Sequence, residues 1–244
     1  MKLDNIRLVL METSHPGNIG GCARAMKNMS LERLYLVNPL YFPDPDADAR
    51  AVGAIDVLER AVVCASLQEA VQDCAVVVGT SARHNRRIGN LVLDPKACAE
   101  RIALESEAAQ VALVFGREHS GLSNEELGLC NYLLTIPCNE AFSSLNLAAA
   151  LQVVCYELFM QTRRTDTDSQ ATPQGELATG HEMDLFYQHM EQALVDVEFI
   201  KAKNPRKTMR RLRRLYNRAQ LEKMELAILR GIFNAMQKLA DRGR

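Results

Sequence analysis

Three short segments hold the side chains best suited to chemistry, and each follows an apolar run of strand length. The first is His15 followed by PGNIGGCARAMKN. Its Gly17, Gly20 and Gly21 make a G-x-x-G-G spacing rather than G-x-G-x-x-G, and no acidic residue closes the second strand as a dinucleotide site requires. On spacing alone this is a tight turn with small residues for helix packing. Arg24 and Lys27 stand three apart near the start of a helix, where a cation opposes the helix dipole and so points to a role other than helix stability. In the second segment, VALVFGREHSGLSNEEL, residues Gly116, Arg117 and Glu118 directly follow a buried strand, at the carboxyl end where open parallel sheets place ligands. Ser123 with Glu126 has the spacing of a capping box, and Arg117 beside Glu118 reads as an exposed ion pair. The third segment, YLLTIPCNEAFSSLNLAAALQV, offers Ser143 or Ser144 as the cap of a long helix, with Asn146, a poor helix former, in the first turn.

These segments need a sheet to hold them. IRLVLM (6–11), RLYLVN (33–38), AVVCAS (61–66), CAVVVGTS (74–81), VALVFG (111–116) and YLLTIPC (132–138) alternate with segments of helical period, among them 95–106 and the long helix after 144. Alternation of this kind indicates an α/β domain with a parallel sheet flanked by helices, and the runs lack the polar alternation of half-exposed strands. After residue 164 the composition turns polar and rich in turn formers, so 1–164 reads as one domain, 165–180 as a linker and 181–244 as a small all-α domain of three amphipathic helices. The apolar repeats there are Phe186, Met190, Ala193, Val197 and Ile200, then Met209, Leu212, Leu215 and Ala219, then Leu226, Leu229, Ile232, Met236 and Leu239.

Charge divides along the same boundary. Residues 1–164 hold 15 Lys and Arg against 19 Asp and Glu, a net −4, and residues 165–244 hold 14 against 11, a net +3, which together give the chain's −1. Between Lys201 and Arg218 the basic residues, including Lys207, Arg210, Arg211, Arg213 and Arg214, have no acid among them, which suggests a polyanionic partner. The seven cysteines are scattered and never spaced C-x-x-C, so they read as buried small hydrophobes, with no metal site or disulfide framework expected. No apolar run is long enough for a membrane span and the N-terminus lacks a signal-peptide pattern, so a cytoplasmic location is expected.

Taken in order, P-x-N-I-G-x-x-A-R-A-M-K-N, L-V-F-G-R-E-x-x-G-L-S-N-E-E-L and I-P-x-N-x-x-x-S-S-L-N-L-A-x-A-x-Q resemble the three motifs of the TrmH-like branch of SPOUT RNA methyltransferases. The resemblance covers nearly the whole chain and fails only in the linker. It implies a trefoil knot at the cofactor site, S-adenosyl-L-methionine as methyl donor, a homodimer with shared active sites, and methylation of a ribose 2′-hydroxyl in tRNA, at cytidine or uridine 32 of the anticodon loop. Periodicity does not indicate a knot, which is rare enough that fold rules alone argue against it. By the same resemblance Arg24 is the base or the electrostatic stabiliser, with Asn18, Glu118, Ser144 and Asn146 as its catalytic companions. Thr80, Ser81, Ala82, Gly116, Ile136, Ser144 and Leu145 would line the cofactor pocket. Arg83, Arg86 and Arg87, with the basic residues of the tail, would grip tRNA. The alternatives are a non-catalytic RNA-binding protein on the same scaffold and, further behind, a dinucleotide-dependent oxidoreductase.

Overall fold

The unalternating apolar runs form strands covered on both faces. The computed structural model describes residues 1–82, 91–139, 141–163, 176–200 and 206–242. In it β1 (Ile6–Met11), β2 (Arg33–Val37), β3 (Val62–Cys64), β4 (Cys74–Thr80), β5 (Leu91–Leu93), β6 (Gln110–Phe115) and β7 (Tyr132–Leu134) make one sheet, ordered β3-β2-β1-β6-β4-β7-β5. Every pairing is parallel. Parallel neighbours need long crossovers, and helices supply most of them: α1 (Pro16–Asn28), α2 (Pro45–Ala51), α3 (Ile55–Glu59), α4 (Leu67–Val71), α5 (Pro95–Glu105) and α6 (Asn124–Leu127). The long α7 (Leu147–Thr162) follows β7.

The two faces of the sheet feed two cores. Ile6, Leu8 and Leu10 point to one, where α1, α5 and α7 pack, and Val9 and Met11 point to the other, under α4 and α6. One charge lies inside β1: Arg7 is 1% exposed, and its two terminal nitrogens donate to both Asp73 oxygens at 2.6 Å and to the Ala70 carbonyl at 2.8 Å. Six of the seven cysteines are buried and Cys138 is half-buried. Burial pushes the Cys74, Cys98 and Cys130 thiols up to about 12, so these behave as the expected small hydrophobes.

Several boundaries differ from the sequence reading. The run 132–138 leaves the sheet after Leu134, which frees residues 135–138 to turn into a loop. β5 is an additional edge strand whose Leu91 and Val92 are half-exposed. β7 runs between β4 and β5. Residues 83–90, with Arg83, Arg86 and Arg87, lie outside the described residues.

The C-terminal helices are α8 (Gly180–Asp196), α9 (Arg206–Ala219) and α10 (Lys223–Arg242), packed around Phe186, Tyr187, Met190 and Phe233. The expected linker is ordered where it meets them. Leu177 bridges Glu222, Ala178 N–H donates to the Leu221 carbonyl, and Thr179 with Glu182 forms a capping box on α8. The inward face of α9 is also rotated from the expected one: Leu215 is 47% exposed and Ala219 is exposed, while Met209 and Asn217 are buried. On α10, Ile232 and Leu239 likewise face outward. Among the described residues no helix is long and apolar enough to cross a membrane.

Candidate active site

A cleft of about 440 Å³ opens where the chain leaves β4, β6 and β7. Its size falls in the range of small-molecule and cofactor sites. Thr80, Ser81 and Ala82 contribute from the first loop, Gly116 to Leu122 from the second, and Ile136, Ser144 and Leu145 from the third. All the residues expected to line a cofactor pocket are therefore together, joined by Asn18, Glu118 and Asn146. Gly116 is required by close backbone packing, since a Cβ there would stand 2.3 Å from the Gly121 carbonyl carbon and 2.4 Å from Leu122 N. Gly121, at φ 68°, closes the same turn.

Glu118 is the acceptor on which the loops converge. Its carboxylate accepts from Ser14 N–H and Ser14 Oγ at 3.2 Å, from His15 N–H at 3.4 Å and from Asn18 Nδ2 at 3.1 Å. Burial alone would raise its pKa, but Asn18 and the backbone N–H groups outweigh that and hold it below the ordinary value, so the group is ionised at neutral pH. Asn18 Oδ1 in turn accepts from Asn146 Nδ2 at 3.0 Å, and Asn146 Oδ1 accepts from Ala148 N–H at 2.9 Å at the start of α7. A carboxylate only accepts and helix N–H groups only donate, so the two ends of this relay fix the orientation of both amides. Glu118–Asn18–Asn146 thus ties together the loop after β6, the start of α1 and the start of α7.

Three readings of single residues are corrected here and one is upheld. Asn146, not Ser143 or Ser144, is the N-cap of α7, because its extended backbone places the side-chain oxygen over the first N–H groups. Arg117 does not pair with Glu118; it is held between Glu12 (2.5 and 2.8 Å) and Glu126 (2.9 and 3.0 Å). Those hydrogen bonds raise the Arg117 pKa and lower that of Glu12. Ser123 and Glu126 do form the capping box, so Glu126 serves both partners. Lastly, α1 begins at Pro16, which places Arg24 in its third turn and Lys27 in its last turn, where a cation complements the dipole and Lys27 also pairs with Asp56.

The α1 glycines serve packing, as their spacing suggested: a Cβ on Gly20 would lie 2.0 Å from the Ala47 carbonyl oxygen, and one on Gly21 would lie 3.0 Å from Ala148 Cβ. Arg24 is exposed, lies outside the walls of this cleft, and has no hydrogen-bond or ionic partner among the described residues. Ser14 went unnoticed in the sequence; its hydroxyl and N–H both reach Glu118, and its place just past β1 is the signal that could have found it. In the tail, Lys207, Arg210 and Arg211 are exposed and Arg214 is half-buried. Arg213 is engaged internally, 3.2 Å from Asp184 and stacked 4.4 Å from the centre of the Tyr187 ring.

A wholly parallel sheet with a cleft built from three carboxyl-end loops, followed by a basic helical unit, defines an α/β ligand-binding protein with an appended helical domain. The model of the SpoU rRNA methylase family matches residues 5–156, and the model of the TrmJ tRNA methyltransferase C-terminal domain matches residues 181–244. The chain belongs to the SpoU methylase family. It is 50% identical to the tRNA (cytidine/uridine/adenosine-2′-O-)-methyltransferase TrmJ of Pseudomonas aeruginosa, over 98% of this chain and 96% of that one. It is 48% identical to the tRNA (cytidine/uridine-2′-O-)-methyltransferase TrmJ of Photorhabdus laumondii, over 98% and 100%. Among solved structures it resembles TrmJ from Z. mobilis ZM4 with a TM-score of 0.81, 32% identity, and coverage of 95% of this chain and 98% of that one.

Proposed function

We propose that the protein transfers a methyl group from S-adenosyl-L-methionine to the ribose 2′-hydroxyl of a tRNA nucleotide, cytidine or uridine 32 of the anticodon loop. The observation that carries this reading is the Glu118–Asn18–Asn146 relay, which locks the family's three motifs around one cleft, in a chain alike to 2′-O-methyltransferases over its full length. The cleft suits the cofactor: Phe115, Leu122, Ile136 and Leu145 give apolar walls for an adenosyl group, and loop amides and carbonyls can read its polar edge. When bound, the cofactor supplies an electrophilic methyl on a sulfonium.

The protein's own task is alignment and charge stabilisation. Ionised Glu118 holds Asn18, and through it the N-terminus of α7, so the cleft walls keep one geometry. A guanidinium is a donor-only group and a poor base, so Arg24 serves as a stabiliser of the developing alkoxide while solvent water takes the hydroxyl proton. Because Arg24 does not line its own chain's cleft, a homodimer in which each site draws on both chains accounts for its placement. The family's trefoil knot and a cytoplasmic location belong to the same reading. Arg83, Arg86 and Arg87, with Lys207, Arg210, Arg211 and Arg214, provide phosphate contacts; Arg213 does so only if it leaves Asp184.

Tritiated methyl transfer from the cofactor to bulk tRNA tests the proposal. Label is expected in alkali-resistant dinucleotides, because a 2′-O-methyl blocks the attack that cleaves RNA. Tight tRNA binding with no transfer, under any cofactor concentration, would support the non-catalytic RNA-binding alternative instead.

A further inference from the structure

We infer that α9 meets the catalytic unit on a fixed bearing rather than at the end of a loose tether, and that Asn217 is the positioning residue that sets it. What the basic face of α9 grips rests on the tRNA reading above; the docking itself does not. Asn217 is only 8% exposed, although asparagine is a poor helix former. Its side chain joins two units: Nδ2 donates to the Gly128 carbonyl at 2.8 Å and Oδ1 accepts from the Tyr187 hydroxyl at 2.5 Å. Its own carbonyl accepts from Asn131 Nδ2 at 3.1 Å, and Asn131 Oδ1 accepts from Val77 N–H at 2.7 Å. The carbonyl of Gly128 can only accept and the N–H of Val77 can only donate, so both amides have one workable orientation.

This chain of bonds ends in β4, the strand that carries Thr80 into the cleft. A second tie lies one turn further along, where Gln220 Oε1 accepts from Arg101 of α5 and from the Tyr132 hydroxyl of β7. Asn217 on α9 and Gln220 just past its end therefore carry the docking, beside Met209 and Arg213, which face α8 and the helical core. On a helical wheel Lys207, Arg210, Arg211, Arg214 and Arg218 cluster within about 100°, centred roughly 110° from the Met209, Arg213 and Asn217 edge, so one helix carries both a docked edge and a basic stripe. A stripe on a loose tether would act at a concentration that falls as about the −3/2 power of tether length, whereas a docked stripe is indifferent to it.

The test uses the full chain, with the polar segment 165–175 at its natural length and doubled, in the wild type and in Asn217→Ala and Asn131→Asp. The second variant keeps the acceptor for Val77 but loses the donor to α9, and it leaves the sequence of the helical unit untouched. Hydrogen exchange at residues 77 and 128–131 reads docking without RNA, and steady-state kinetics separate tRNA KM from kcat. Docking predicts slow exchange in the wild type at both lengths and a tRNA KM unchanged within about twofold on doubling. Each variant should exchange faster and raise tRNA KM about tenfold, equivalent to about 1.4 kcal/mol, with kcat and cofactor affinity held. Doubling should then add about threefold more. Fast exchange at 128–131 in the wild type, or a wild-type KM that tracks segment length, would overturn the inference. Should Asn217→Ala melt the helical unit by circular dichroism, Asn131→Asp decides. Slow, variant-sensitive exchange in a protein that binds no tRNA would uphold the docking and remove the tRNA reading.

Discussion

Replacing Glu118 by glutamine probes the loop relay from its acceptor end. The carboxylate receives hydrogen bonds from Ser14 N–H, Ser14 Oγ, His15 N–H and Asn18 Nδ2, at 3.1 to 3.4 Å. Glutamine offers one acceptor oxygen in place of two and turns an NH2 group toward donors, so about half of these bonds disappear. Hydrogen bonds to an ionised group are worth about 1.5–3 kcal/mol each. Here they are long and the carboxylate is half-exposed, which brings each to ~1 kcal/mol and the variant's loss to ~2 kcal/mol. For a chain of this size that lowers the Tm by about 4–8 °C. The pH dependence has a definite sign. The folded carboxylate titrates below its ordinary value, so its stabilisation is complete above the unfolded-state pKa of about 4.3 and disappears as pH falls through the folded value. The gap between wild type and Glu118→Gln should therefore be flat from about pH 8 to pH 6 and close in acid. Scanning calorimetry from pH 8 to pH 3.5 reads this directly. A gap under about 1 °C at neutral pH, or one that persists undiminished in acid, would refute the claim that ionised Glu118 holds these loops. Turnover should fall about a hundredfold as Asn18 loses its fixed position.

Arg24→Ala should abolish methyl transfer with cofactor affinity unchanged and stability within about 0.5 kcal/mol, because the side chain is exposed and makes no contact that folding needs. Arg24→Lys should fail as well, since an ammonium lacks the planar fork, and near-normal turnover in either variant removes Arg24 from the mechanism. Gly20→Ala should lower the Tm by several degrees, at a cost of about 1–3 kcal/mol, since its Cβ would meet the Ala47 carbonyl, whereas Gly53→Ala, with open space around it, should be neutral in the same melt. Truncation after Arg164 should leave a folded domain that binds the cofactor but holds tRNA weakly. Its log-affinity slope against log salt should flatten by about 0.7–0.9 for each phosphate that the tail no longer neutralises, and an unchanged slope measured by filter binding would make the tail structural.

The buried strands were legible because a strand covered on both faces is mostly apolar; β6 is apolar after Gln110 and β1 is an apolar run broken only by Arg7. β5 was not, since Leu91 and Val92 at the sheet's edge make too short and too exposed a run to stand out. The motifs marked the loops that line the cleft, at the ends of strands, but not how their side chains are joined. Asn18 and Asn146 stand 128 positions apart, and nothing local to either shows their hydrogen bond. Local cues misled at Asn146, where two serines offered an equally good cap, and at Lys27, where the true start of α1 decides whether a cation helps or harms the helix. On α9, a side chain that could be counted as free charge, Arg213, is held by Asp184 and Tyr187, and only the packing of α8 reveals it.

The central claim is ribose methylation of one tRNA nucleotide. Alkaline-resistance mapping of tRNA, from cells with the protein, without it, and with Arg24→Ala in its place, tests that claim most directly. A protected linkage at nucleotide 32 that is present in the first sample and missing from the other two is the predicted result. An identical pattern in all three, or a missing methyl that maps to a base or to ribosomal RNA alone, would contradict it.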